Sequence, residues 1–234
     1  MTTTHYEQIG VAMTCRGFNE YVRMFDLNET LLSRGSVLDV AGGASSFTAE
    51  LCGRGADAYA VDPRYSKNAN EWIREATEEI TVSTAKIDKL KGTFDWSYYG
   101  NVKLHRAGRE ESLRRFVSHL SEEEGKQRYI AGGLPQLPFA DGTFSLALCS
   151  HFLFLYAEQF GFEFHKQSVL ELMRVCKPGG EVRIYPLLSL NWERYERLDE
   201  LLIAIREAGG EPEICQSNLP FIPGSDHYLK IVLR

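Results

Sequence analysis

The sequence predicts an α/β protein: a doubly wound, mostly parallel sheet of seven strands with a helical insertion after the second. Short β-branched-rich runs recur along the chain, helical periodicity fills the stretches between them, and a turn of small residues directly follows the first strand. Alternation of strands with helices requires crossover connections, and crossovers make parallel sheets.

Four runs read as strands buried on both faces: Ser36 to Val40, Ala58 to Asp62, Ser145 to Cys149 and Glu181 to Tyr185. A fifth, Arg128 to Ala131, is shorter and less apolar. Glu213 to Cys215 and Tyr228 to Arg234 close the chain, with Pro220, Pro223 and Gly224 between them as turn residues. A helix is predicted from Trp192 to Ala208, with Trp192, Tyr195, Leu198, Leu201, Leu202 and Ile205 on one face and Gly209-Gly210 as its stop. Another covers Gln167 to Cys176, ended by Lys177-Pro178-Gly179-Gly180. Residues 63–128 break the rhythm: Ala69, Trp72, Ile73, Ala76 and Ile80 share one helical face, and Leu113, Phe116, Val117 and Leu120 share another. Between them lies the aromatic run Phe94 to Gly100. A crossover needs one helix and short loops, so the surplus reads as an insertion or lid within a single domain of residues 1–234, with 1–33 as an N-terminal helical cap.

Composition sets outer limits. The chain of 234 residues is 44% apolar and 25% charged, as globular proteins are, and its net charge of −6 argues against a nucleic-acid partner. Arg114-Arg115 is flanked by Glu110, Glu111 and Glu122 to Glu124, as on a solvated helix face. No apolar run approaches the roughly 20 residues that span a bilayer, and the start lacks a signal-peptide pattern. The odd, scattered cysteines Cys15, Cys52, Cys149, Cys176 and Cys215 read as reduced thiols of a cytoplasmic protein. No metal motif is present.

The chemistry concentrates at one turn. Val37-Leu38-Asp39-Val40 runs into Ala41-Gly42-Gly43-Ala44-Ser45-Ser46 and then a helix beginning near Phe47. Small residues here let the backbone approach a ligand, and the helix start favours an anionic group. The next strand ends in Asp62, roughly 20 residues on, where doubly wound folds place the acid that accepts from ribose hydroxyls. These features alone allow either NAD(H) or S-adenosylmethionine.

The longer stretches VLDVAGG, AVDP, AGGLPQLPFADGTFSLALCSHFLFLY and ELMRVCKPGGEVRIYPL decide between them. In this order, from Val37 to the end and apart from the insertion, they resemble the class I S-adenosylmethionine-dependent methyltransferases. The resemblance implies a Rossmann-like sheet in the order 3-2-1-4-5-7-6, S-adenosyl-L-methionine as cofactor, and methyl transfer to the oxygen or nitrogen of a small molecule. It implies that Ala41, Gly42 and Gly43 line the methionine part of the cofactor, that Asp39 supports that loop, and that Asp62, followed by Pro63, holds the ribose. Gly133 and Leu134 would touch the adenine, and Cys149, Ser150 and His151 would face the sulfonium. Arg16 and Tyr21 of the cap could reach the methionine carboxylate. His151 is the candidate general base or orienting hydrogen-bond partner for the acceptor, because the carboxyl end of the fourth strand borders the pocket and imidazole titrates near neutrality.

Departures from the family pattern are concrete. Ala41 and Ser45 replace the first and last loop glycines, and alanine does not adopt positive φ freely. Gly133 stands for the adenine-binding aspartate, and Ser145 for the aspartate after the LPFADGTF stretch. Ser45 or Ser46 is expected to cap the following helix. Trp96 is expected in the insertion core, Tyr98 and Tyr99 either there or on the substrate wall, and His119, His165, Glu158 and Glu163 on the surface. A protein that binds the cofactor without turnover is the alternative from another class, and an NAD-dependent dehydrogenase, which Asp62 alone would allow, is the second.

Overall fold

The computed structural model describes residues 10–234, so the first nine residues of the expected cap lie outside it. Seven strands form one sheet in the order β3-β2-β1-β4-β5-β7-β6. They are β1 Val37–Val40, β2 Ala58–Asp62, β3 Tyr129–Ala131, β4 Phe144–Ser150, β5 Cys176–Tyr185, β6 Gly210–Gln216 and β7 His227–Leu233. The first five pair in parallel, while β7 runs antiparallel to both β5 and β6.

The two-residue strand period sorts the core onto two faces. Val37, Leu146, Leu148, Tyr185 and Tyr228 pack with Tyr21, Met24 and Phe25 of α1 (Phe18–Phe25) and, after the short α2 (Glu29–Leu32), with Phe47 and Leu51 of α3 (Phe47–Gly53). Leu38, Val40, Ala147, Cys149, Val182, Ile184 and Ile231 belong to the opposite face. The insertion forms α4 (Ala69–Lys89), α5 (Val102–Ser121) and the short α6 (Glu123–Lys126). Trp72, Ala76 and Ile80 meet Leu113 and Phe116 in a third cluster, which also takes in Met13 and Cys15 of the N-terminal segment. The helices α7 (Phe162–Val175) and α8 (Leu198–Glu207) cover the second face, through Val169, Leu172 and Met173 and through Leu198, Leu201 and Ile205.

Two sequence expectations are corrected. The helix expected from Trp192 starts only at Leu198. Trp192 has φ 63°, its amide donates to Ser189 O at 3.0 Å, and Leu188 bridges to Arg194, so this stretch is a tight loop. His165 is fully buried, with Nδ1 3.0 Å from Gly161 O and Nε2 3.1 Å from Leu153 O. Its charged neighbours suggested solvent, but it shares a helical stripe with Ser168, Val169 and Leu172, all buried.

Candidate functional site

Two neighbouring hollows lie at the carboxyl edge of the sheet. The first, of about 250 Å³, is a cleft lined by Ala41, Asp62, Pro63, Gly133 and Leu134 with the rings of Phe152 and Phe164. Asp62, at the end of β2, is 4% exposed and directs its two oxygens to backbone: Oδ2 accepts from Gly43 N at 3.2 Å and Oδ1 from Arg64 N at 2.9 Å. Burial raises its carboxyl above the usual carboxylate range, opposed by the Arg64 amide and guanidinium. Gly133 lies so close to Pro63 that a Cβ there would meet Pro63 Cγ at 2.9 Å. A carboxylate at one end and apolar walls along the sides suit a ribose joined to a flat base.

The turn after β1 is tightly bonded. The amides of Ala41 and Gly42 both donate to Val61 O, at 2.9 and 3.3 Å, and Ala41 takes φ 58°. A left-handed alanine costs about 1–2 kcal/mol, and the paired amides hold it there, so the missing glycine does not change the turn. Asp39 sits beneath the loop. Its oxygens accept from Tyr21 Oη at 3.1 and 3.0 Å, and a Cβ on Gly42 would come 3.0 Å from Oδ2. Burial pushes the Asp39 carboxyl up to about 8, against the donation from Tyr21. Tyr65 Oη donates to Gly43 O at 2.7 Å. Ser46 precedes α3 but makes no side-chain cap; its hydroxyl donates to Glu50 Oε1 at 2.6 Å.

The second hollow is a smaller cavity of about 100 Å³. His151, Tyr156 and Trp192 line it from the sheet side, and Glu79, Phe94 and His105 from the insertion. His151 follows β4 with φ 52°, its amide donating to Tyr185 O at 2.6 Å, so the ring is set by the backbone. Its Nδ1 lies 2.9 Å from Ser150 Oγ, whose other contact is Met24 Sδ at 3.8 Å. Burial first, then Arg16 and Arg109, hold its pKa well below the ordinary histidine value. The ring is therefore neutral at pH 7, and the same shift makes it a weaker base than a free imidazole.

A strap of chain runs between the hollows. Val11 lines the cleft, whereas Ala12 to Arg16 line the cavity. Thr14 O would lie 3.2 Å from a Cβ on Gly43, so that glycine admits the strap against the loop. Side chains hold much of it: Arg64 donates to Val11 O at 2.6 Å, Tyr156 Oη accepts from Ala12 N at 2.8 Å, and Arg109 donates to Cys15 O at 3.0 Å. Arg16 donates through Nη1 to Thr14 Oγ1 at 2.5 Å, while its Nε is buried without a partner.

Sequence reasoning missed a buried cluster joining the insertion to the cap. Arg109 of α5 donates to both oxygens of Glu20 of α1, at 2.6 and 2.8 Å. Tyr99 donates to Glu20 Oε1 at 2.5 Å, and His105 lies 3.2 Å from Arg109 Nη2. Spacing His105 and Arg109 four apart puts them on one helix face, a visible signal, but nothing in the sequence marks that face as inward.

Among the expected site residues, the structure gathers Ala41, Asp62, Pro63, Gly133 and Leu134 around the cleft and Arg16 with His151 around the cavity. Gly42, Gly43 and Asp39 form and brace the loop between. Three other side chains line neither hollow, and one of them, Ser150, is buried with its hydroxyl against Met24 Sδ and His151 Nδ1. Tyr21 is buried, stacked on Phe47 at 4.2 Å with its hydroxyl committed to Asp39, so it braces the loop and does not reach a hollow. Cys149 is fully buried in the core on the α7 and α8 face, because strand alternation turns it away from Ser150. His119 bonds Tyr129 Oη at 2.9 Å, and Glu158 is exposed, far in role from either hollow.

A family model described as "Methyltransferase domain" matches residues 108–184. An uncharacterized protein of Methanocaldococcus jannaschii is 35% identical over 188 residues, which cover 80% of this chain and 82% of that protein. Among solved structures, a SAM-dependent methyltransferase from Methanosarcina mazei is 14% identical, covering 89% of this chain and 99% of that one, with a TM-score of 0.49. Another, from Aquifex aeolicus, is 16% identical and covers 91% and 90%, with a TM-score of 0.43. The matched methyltransferase model and the sheet order β3-β2-β1-β4-β5-β7-β6 place the chain among the class I S-adenosylmethionine-dependent methyltransferases, with S-adenosylmethionine as its cofactor, and the M. jannaschii protein belongs to the same family.

Proposed function

We propose that the chain methylates an oxygen or nitrogen of a small molecule in the cytoplasm, with the adenosine of the cofactor in the Asp62 cleft and the acceptor in the cavity at His151. The observation that carries this reading is the aromatic lining of that cavity, with His151 placed in it directly after β4. A space of about 100 Å³ suits a small molecule, and the net charge of −6 with no basic track supports the same reading. Ligand pockets commonly reach about 300–1,000 Å³, so the roof of strap, α4 and Phe94 to Gly100 must part to admit an acceptor.

S-adenosylmethionine supplies a methyl group on a positively charged sulfur. The chain's residues hold and align. The carboxylate of Asp62 accepts the ribose hydroxyls in place of one of its backbone donors, and Gly133, Leu134 and Pro63 form the slot for adenine. Ala41 to Gly43 and the start of α3 border the methionine part, where Arg16, with an unpartnered Nε, meets a carboxylate. His151 takes the proton from an acceptor that keeps one at neutral pH, and Ser150 fixes the orientation of its ring. Enclosure excludes water and shortens the approach of the nucleophile.

Incubation with isotopically methyl-labelled S-adenosylmethionine and a screened pool of small metabolites, followed by mass spectrometry, tests this. A labelled O- or N-methyl product is expected, and labelling of nucleic acid or protein alone would contradict it. The residues Phe94 to Gly100 are expected to act as a lid. Their amide exchange slows when S-adenosylhomocysteine is added, measured by hydrogen–deuterium exchange. Equal rates with and without ligand would leave a rigid insertion.

A further inference from the structure

Three side-chain atoms that are buried without a hydrogen-bond partner among the described residues belong to residues of the cavity: Arg16 Nε, Glu79 Oε1 and His105 Nδ1. Buried polar atoms are nearly always paired, so their gathering at one cavity points to a ligand that pairs them. Arg16 is already assigned to the cofactor, and the most constrained of the remainder is His105.

His105 is 3% exposed on α5, and its Nε2 lies 3.2 Å from Arg109 Nη2. A guanidinium only donates, so Nε2 must accept and carries no hydrogen. Arg109 is itself fixed by both oxygens of Glu20 and by Cys15 O, so it does not turn away. The one proton of the ring then sits on Nδ1, the atom without a partner. Burial, Arg109 and Arg16 also push the His105 pKa down to about 2, so the ring stays neutral. The surroundings of this donor are rings. His105 stacks on Phe221 at 5.4 Å and 15°, Phe221 stacks on Phe94 at 4.7 Å and 9°, and Trp192 meets Phe94 edge-on at 5.9 Å.

We infer that His105 reads the methyl acceptor through a fixed Nδ1–H donor, and that the acceptor is a flat ring carrying a hydrogen-bond-accepting oxygen. The inference rests on the proposed use of this cavity as the acceptor site. Flat walls select a flat molecule, and a buried donor discriminates strongly against one that leaves it unpaired. His105 is a specificity residue; it takes no part in the transfer itself.

The test uses wild-type protein saturated with S-adenosylhomocysteine and two probes of one shape, acetophenone and α-methylstyrene, which differ only in a carbonyl oxygen. NMR titration is expected to give acetophenone an affinity about tenfold higher, in keeping with one buried hydrogen bond. In His105→Phe the preference collapses, while S-adenosylhomocysteine binds as in wild type. Should that variant fail to fold, His105→Leu is read in the same way. Ring ¹⁵N shifts of the wild type are expected to report a neutral Nδ1–H tautomer that does not titrate between pH 5.5 and 8, a range set about the reference histidine pKa of roughly 6.5. Equal affinity for the two probes, no binding of either, a preference that survives the substitution, or an Nε2–H tautomer would each overturn the inference. Failure of wild type to bind S-adenosylhomocysteine would instead overturn the cofactor assignment on which it stands.

Discussion

Replacing His151 with alanine is expected to lower kcat by about 10²–10⁴ while cofactor affinity stays near wild type. The ring stands at the carboxyl end of β4, at the cavity and outside the cleft that holds Asp62, so its loss removes a proton acceptor and leaves the cofactor's contacts in place. Its backbone is held by the amide bond to Tyr185 O, and its Nδ1 by Ser150, leaving Nε2 as the free nitrogen. The depressed pKa has a testable sign. A base in its neutral form throughout the neutral range keeps kcat level as pH falls through 6.5, and the limb appears well below the ordinary histidine value. Stability follows the same linkage. Below about pH 6.5 the unfolded chain binds a proton that the folded His151 refuses, so the contribution is complete above that pH and is lost as pH falls. Urea unfolding should therefore lose less stability on acidification in His151→Ala than in wild type. A normal turnover number in a folded variant would remove His151 from the reaction.

Replacing Arg109 with methionine is expected to cost about 3–5 kcal/mol of stability. The guanidinium and the Glu20 carboxylate are 8% and 7% exposed, with Oε1 to Nη1 at 2.6 Å, so the variant leaves a buried carboxylate without its counter-ion. It also strips a donor from Cys15 O and one from Tyr99 Oη, bonds that help tie the strap and the aromatic loop to α5 of the insertion. For a chain of this size each kcal/mol is worth about 2–4 °C in Tm, so a fall on the order of 10 °C is anticipated. The double variant Glu20→Leu with Arg109→Met should recover most of it, because no charge is then stranded. A single variant that unfolds within 1 kcal/mol of wild type, as an order-of-magnitude bound, would show that the pair is no keystone of the insertion.

Much of the fold was legible because central parallel strands are apolar on both faces: Val37–Val40 and Phe144–Ser150 are buried at every position. The edges were less so. Trp192, Tyr195 and Leu198 repeat at helical spacing, yet Trp192 belongs to a loop whose ring serves the cavity, so one period described two different structures. His165 was hidden by its neighbours' charge, since the helix turns Glu163 out and His165 in. At the site, Asp62 and Gly133 were readable from their place after strands. The strap was not, because its bonds come from Arg64, Tyr156 and Arg109, each more than fifty positions away in sequence. The positive φ of Ala41 was legible only as an obstacle; pairing of two amides with Val61 O removed it.

The most direct measurement is isothermal titration of S-adenosylhomocysteine into wild type and Asp62→Ala. Asp62 is the one carboxylate among the described residues that line the cleft, and a ribose would exchange its backbone contacts for charge-assisted hydrogen bonds. Wild type should bind one equivalent, and the folded variant should bind more weakly by about 2–4 kcal/mol, from two such bonds lost. Unchanged affinity in a variant of native circular dichroism would contradict the placement of the cofactor in this cleft.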